Sequence, residues 1–150
     1  MKQAVRAIVV RGDELLVMKR NKFGSEYYTL IGGHVELGET TEQALHRELE
    51  EETQIKVSKP RLVYIEAAEA PYGDQYVYFC DYVSGEPVLS EDSDESKINK
   101  MGNNLYMPMW LKLDELSELP FRSEKLKKKL LKDIKDGFPE EVVRISSKVS

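Results

Sequence analysis

Glu48, Glu51 and Glu52 stand three and four residues apart, the spacing that brings side chains to one face of a helix. At about 100° per residue they span roughly 100° of that face, and Glu50 points away. Like charges so placed mildly destabilise an isolated helix, and a position in its C-terminal half sets them against the helix dipole. A bound divalent cation reverses both costs. Hard cations such as Mg²⁺ take carboxylate oxygens and bridge to substrate phosphates. A solvated acidic face is the other reading of the same cluster.

The charge of the whole chain sharpens this. The 150 residues carry a net −5. Glu36 to Glu52 holds seven carboxylates against Arg47 alone, a net −6, which leaves +1 on the other 133 residues. The acidity is therefore local. Net acidity argues against a generic, charge-driven nucleic-acid binder, although a local basic pocket stays open. One cysteine, Cys80 in an apolar run, forms no intramolecular disulfide and suits a reducing, cytoplasmic setting. No apolar run approaches the roughly 18 residues of a spanning helix, and the first residues read as a strand rather than a leader. The length fits one domain over 1–150.

These side chains need elements to place them. Gln3 to Val10 and Glu14 to Lys19 read as a hairpin about Arg11-Gly12-Asp13, and Tyr27 to Ile31 as a short strand running into Gly32-Gly33. Two glycines there allow a close backbone approach, or simply form a turn. Thr40 and Gln43 have the spacing of a capping box, and Ala44, Leu45 and Leu49 give a helix its apolar side until Thr53 to Ile55. That helix, packed through its leucines on a sheet, would hold the three carboxylates at the edge of the core. Arg61 to Ala67 and Gln75 to Val83 read as strands joined by a turn at Pro71 to Asp74. Ser84 to Pro87 reads as another turn, Ser90 to Asn104 as a mobile acidic loop, and Leu105 to Leu111 as the last strand. Ser123 caps a helix ending before Gly137, with Leu126, Leu130 and Ile134 inward and the lysines from Lys125 to Lys132 in solvent. Residues 139–150 read as a frayed tail. The order implies an α/β domain with a mixed β-sheet between helices.

Read in order, the segment is Gly33, five residues, Glu39, seven residues, then Arg47-Glu48-Leu49-Glu50-Glu51-Glu52-Thr53-Gln54-Ile55. This resembles the box of the Nudix hydrolases, Gly-x5-Glu-x7-Arg-Glu-U-x-Glu-Glu-x-Gly-U with U aliphatic. Gln54 stands where that pattern has Gly, and Ile31 replaces a usual Pro upstream. The resemblance implies a Nudix-like α/β/α sandwich and hydrolysis of a nucleoside diphosphate linked to another group. It implies Glu48, Glu51 and Glu52 as metal carboxylates, the Gly32 carbonyl as a further ligand, Glu39 as support, and Arg47 as the group that orients carboxylates. Arg47 also reads as an ordinary surface ion pair. Two or three Mg²⁺, with Mn²⁺ as a substitute, would neutralise the phosphates and lower the pKa of bound water.

A later acid is expected as well. Gly85-Glu86-Pro87 followed by Glu91 resembles the arrangement of the branch that cleans oxidised nucleotides, which implies Glu91 as a metal ligand and catalytic acid. Asp92, Asp94 and Glu95 are its rivals. For the substrate, Gly33, Arg20, Tyr28 and Tyr78 are candidates. Tyr27, Tyr72, Tyr76 and Phe79 could also stack a base, although strand aromatics also serve the core. His34 and His46 read as structural or exposed. The leading substrate is a nucleoside triphosphate, including an oxidised purine, cleaved to monophosphate and pyrophosphate. ADP-ribose, dinucleoside polyphosphates and nucleotide sugars are alternatives. A zinc-binding Cys cluster, as in the NADH-cleaving branch, is absent from the sequence, and so is an extended basic surface for RNA. The partner is then a small nucleotide, with no membrane; members of the family are often dimers, and the sequence leaves open whether this chain is monomer or homodimer. A non-catalytic nucleotide sensor on the same fold is the reading from another class.

Overall fold

The computed structural model describes residues 2–67, 72–91 and 93–146. Two strands, β1 (Lys2–Arg11) and β2 (Glu14–Lys22), form the expected hairpin. They pair only at Val10–Leu15 and Arg11–Glu14 before β2 diverges. Next come β3 (Ser25–Thr29) and β4 (Ile31–His34), where the sequence reading expects one strand. The division follows from partners: β3 pairs with β2, and β4 pairs antiparallel with β1, Arg6 opposite Gly32 and Val5 opposite Gly33.

Helix α1 (Thr41–Thr53) begins with the capping box of Thr40 and Gln43, and Gln54 closes it in the left-handed region. Strand β5 (Lys56–Ala67) starts earlier than the sequence suggests. Its early part carries a register shift between Ser58 and Arg61 that absorbs Lys59 and Pro60, a place where a strand tolerates proline. It runs antiparallel to β6 (Tyr72–Ser84), which lies parallel to β1. Of the expected turn at Pro71 to Asp74, Pro71 lies outside the described residues, and Tyr72, Gly73 and Asp74 belong to β6 instead of a turn.

The acidic stretch after β6 is not wholly loop. Ser93 accepts the Ser96 N–H and starts α2 (Asp94–Asn99). Asn99 then bonds both backbone groups of Tyr106 and ties α2 to β7 (Asn104–Lys112). A short helix, α3 (Leu113–Leu116), precedes α4 (Glu124–Asp136). β7 is not the last strand. The segment expected to fray contains β8 (Val143–Ser146), parallel to β5, with Val143 and Ile145 packed against the core.

The sheet is mixed, ordered β3-β2-β1-β6-β5-β8, with β4 beside β1 and β7 beside β2. Alternation along β1 divides the core. Val5, Ala7 and Val9 pack with Ala44, Leu45 and Leu49 of α1, while Ile8 packs with Leu116, Leu126 and Leu130 of α3 and α4. Helices therefore cover both faces, the expected α/β/α arrangement. Lys127 departs from the expected solvated lysine face. It is buried, with Nζ donating to the carbonyls of Ser117 and Leu119 and paired with Glu124 at 2.9 Å. No helix among the described residues is long and apolar enough to cross a membrane.

Candidate active site

Packing Leu45 and Leu49 into the core fixes the rotation of α1. Glu48 and Glu52 then lie 7% and 4% exposed, Glu51 is half-buried, and Glu50 faces solvent, as the wheel requires. The two glycines of β4 make this approach possible. A Cβ on Gly32 would sit 1.8 Å from the Val5 carbonyl oxygen, and one on Gly33 would sit 2.7 Å from the Glu48 carboxylate. Without side chains, β4 hydrogen-bonds to β1 on one side and meets α1 on the other. The Gly32 N–H donates to Glu52 Oε2 at 2.9 Å.

Arg47 ties the box together. Its Nε and Nη2 donate to the two oxygens of Glu39 at 2.7 and 3.0 Å, a planar fork on a planar acceptor. Nη1 donates to Glu48 at 2.8 Å and Glu51 at 3.3 Å, and Nη2 also reaches the His34 carbonyl at 3.0 Å. Hydrogen bonding from Arg47 holds the Glu39 carboxyl below its usual range. Arg47 is 23% exposed, and besides these four groups it has the Glu36 carboxylate at 3.7 Å, so it is more than a surface ion pair. His34 and His46 side chains are themselves exposed.

The electrostatics run against three neighbouring ionised acids. Burial raises Glu52 well above the ordinary carboxylate range, and Glu48 and Glu95 push it further, against the pull of Arg6. Burial also raises Glu48, opposed by Arg47. Burial raises Glu95 too, with Glu51 and Asp94 adding to it. A cation at this place would remove the cost for all three. The donors are all carboxylate oxygens, the set hard cations prefer. Among the described residues no three His, Cys, Asp or Glu side chains converge into a ready-made cage.

Two cavities adjoin the acids. One, of about 380 Å³, is lined by Gly32, Gly33, Glu52 and Glu95 at one end and by Arg6, Glu66, Gln75 and Ser123 elsewhere. The other, of about 310 Å³, is lined by Glu48, Glu51, Arg47, Asp94 and Glu95. Gly33, His34 and Glu95 belong to both. Of the expected later acids, Glu95 therefore faces the box, whereas Glu91 is exposed and lines neither cavity. Asp92 lies outside the described residues.

The substrate candidates divide. Arg20 lines the larger cavity, stacked on Tyr106 at 3.7 Å from the ring centroid. Tyr28 is a core residue; Tyr27, its neighbour on the opposite face of β3, lines the cavity beneath the Arg122 guanidinium. Tyr78 is buried under α1, its hydroxyl 2.6 Å from Thr41 Oγ1. Tyr76 and Phe79 pack against the two core clusters, and the Tyr72 side chain lies outside the described residues. No local pattern in the sequence marks Arg6, Glu66, Gln75, Arg122 or Ser123 for the site. Residues 120–122 run along β3, with Tyr28 N–H bonded to Pro120 O and Arg122 N–H to Tyr28 O, and only that long-range pairing brings Arg122 and Ser123 to the cavity.

Comparison with known proteins gives a consistent result. The NUDIX domain family matches the chain over residues 1–134. A curated relative, the NAD-capped RNA hydrolase NudC of Pectobacterium atrosepticum, is 32% identical over 110 residues, which are 73% of this chain and 38% of that protein. The chain thus spans well under half the length of that relative. Among solved structures, a MutT NUDIX hydrolase from Burkholderia pseudomallei is 25% identical with a TM-score of 0.64, over 89% of this chain and 97% of the other. An ADP-ribose pyrophosphatase from Streptococcus suis has a TM-score of 0.65 at 17% identity, over 96% of this chain and 98% of the other, a likeness of fold.

Proposed function

The chain belongs to the Nudix hydrolase family, and on that premise we propose that it is a Mg²⁺-dependent pyrophosphohydrolase of nucleoside diphosphate derivatives. The observation that carries this reading is Glu52, an almost fully buried carboxylate with one backbone donor, beside Glu48 and Glu95. Such a group is costly unless a cation joins it. Glu48, Glu51 and Glu52, with the Gly32 carbonyl, are the residues we assign to hold Mg²⁺. When bound, the metal supplies charge neutralisation for the pyrophosphate and lowers the pKa of water.

The residues of the chain do the rest. Arg47 locks Glu48 and Glu51 in place against Glu39. Gly33 keeps the wall at Glu48 free of a side chain. Glu95, rather than Glu91, is the later acid in this proposal, because it stands where both cavities meet. Water adds to one phosphorus of the anhydride, the bridging oxygen leaves with its electron pair, and a carboxylate takes the proton of the water. Arg20, Tyr27 and Tyr106 form the wall for the group beyond the phosphates, in a cavity within the size range of small-molecule sites.

The leading substrate remains a nucleoside triphosphate, cleaved to monophosphate and pyrophosphate. The relative named for NAD-capped RNA favours a second reading, a dinucleotide pyrophosphate. A hydrolysis panel with Mg²⁺ separates them: triphosphates, oxidised purine triphosphates, NAD, ADP-ribose and nucleotide sugars, scored by products. Preferred release of pyrophosphate supports the first reading, and two monophosphates from NAD the second. No turnover of any would favour a nucleotide sensor. In the active assay Glu95→Gln should lower kcat about a hundredfold and Glu91→Gln less than threefold; the reverse order would return the role to Glu91.

A further inference from the structure

Gln54 is the position at which the box departs from its pattern, and the fold gives that departure a consequence. It closes α1 with φ near +57°, a region costly for any side chain and open to glycine. The residue that accepts this cost has a contact glycine lacks. Its Nε2 donates to the carbonyls of Val88 at 3.2 Å and Leu89 at 3.3 Å. The same strap bonds in the other direction. The Val88 N–H donates to Thr53 O at 3.0 Å and the Ser90 N–H to Glu51 O at 2.8 Å, answering carbonyls that a helix end leaves open. Gly85 lets the chain come this close, since a Cβ there would meet Gln54 O at 2.8 Å.

The strap leads directly to the site. Ser93 N–H and its hydroxyl both donate to Ser90 O, and Ser93 caps α2. Glu95, in the first turn of α2, lies where the two cavities meet. A continuous set of hydrogen bonds therefore joins the end of the carboxylate helix to the acid that faces it.

We propose that Gln54 is a positioning residue: its amide fixes the 88–90 strap to the end of α1 and thereby holds Glu95 opposite Glu48, Glu51 and Glu52. Glycine at 54 would supply the same turn without strain and without the N–H donors. The catalytic part of this inference rests on the proposed hydrolase reading; the structural part does not.

The test compares wild type with Gln54→Met, which keeps length and strain but loses the donors, and Gln54→Gly, which loses both donors and strain. In metal-free protein, hydrogen exchange at the Val88 and Ser90 amides should be about tenfold faster in both variants, the mark of a locally loosened segment. Gln54→Gly should melt roughly 3 °C above Gln54→Met, from relief of the left-handed strain alone. With Mg²⁺ and a cleaved nucleotide, kcat should fall about tenfold in both, with KM within twofold, as expected when a reacting group is displaced rather than lost. Unchanged exchange in both variants, or faster exchange with unchanged kcat, overturns the proposal. A wild-type protein that cleaves nothing would refute the hydrolase reading instead, and the exchange comparison would still decide whether Gln54 holds the strap.

Discussion

Removing Arg47 should cost the fold far more than an exposed ion pair would. Its guanidinium makes two bonds to Glu39, one each to Glu48 and Glu51, and one to the His34 carbonyl, at 2.7 to 3.3 Å. Glu39 and Glu48 side chains are only 18% and 10% exposed. Breaking a buried charged pair costs about 3–5 kcal/mol, because the surviving charge loses its partner. Partial exposure of Arg47 argues for the lower end, about 3 kcal/mol. For a chain of this length that corresponds to a melting temperature roughly 6–12 °C lower. Arg47→Ala should show that loss in thermal melts followed by circular dichroism, metal-free at pH 7 and 0.15 M salt. Arg47→Lys keeps the charge but not the fork, and should recover about half. A melting temperature within about 2 °C of wild type for Arg47→Ala would mean that Arg47 acts only as an exposed pair, worth roughly 0–1 kcal/mol.

Other predictions follow from burial and charge. Glu52 keeps its proton in the folded state to a higher pH than in the unfolded chain, so the native state binds more protons in that window and stability falls as pH rises through it. Metal-free protein should therefore melt higher at pH 5.5 than at pH 7.5, Glu52→Gln should flatten that difference, and Mg²⁺ added at pH 7.5 should raise the melting temperature of wild type. A wild-type slope unchanged in Glu52→Gln would count against a strained Glu52. On α4, Lys127→Met leaves the carbonyls of Ser117 and Leu119 without their donor and should destabilise by about 2 kcal/mol. Lys128→Met, on the exposed face, should change stability by less than about 0.5 kcal/mol; equal effects would contradict the buried role of Lys127.

What the sequence revealed was mostly short-range. The capping box of Thr40 and Gln43, the rotation of Glu48, Glu51 and Glu52, and the cap at Ser123 each depend on residues within one helix. Choices between faces were harder. Tyr27 and Tyr28 alternate across β3, and only the course of 120–122 decides which meets the cavity. Lys127 reads as solvated until the backbone of 117–119 comes to lie against it. The pairing of β8 with β5 joins residues nearly 80 positions apart, beyond any local pattern. The placement of Glu95 did have a signal. Ser93 followed by Asp94 and Glu95 has the composition of a helix start, and that start turns the chain so that Glu95, not Glu91, faces the box.

We read the buried carboxylates as a cation-dependent centre for cleaving pyrophosphate. Nucleoside monophosphate release under Mg²⁺ titration decides this, in wild type and in Glu52→Gln, with the fold of both checked by circular dichroism. Wild type should be silent in chelator and active with Mg²⁺. Glu52→Gln should lose about a hundredfold or more in kcat/KM while staying folded, since even supporting groups around a metal cost 10- to 100-fold. Activity that survives chelation, or a folded Glu52→Gln protein as active as wild type, would contradict the claim.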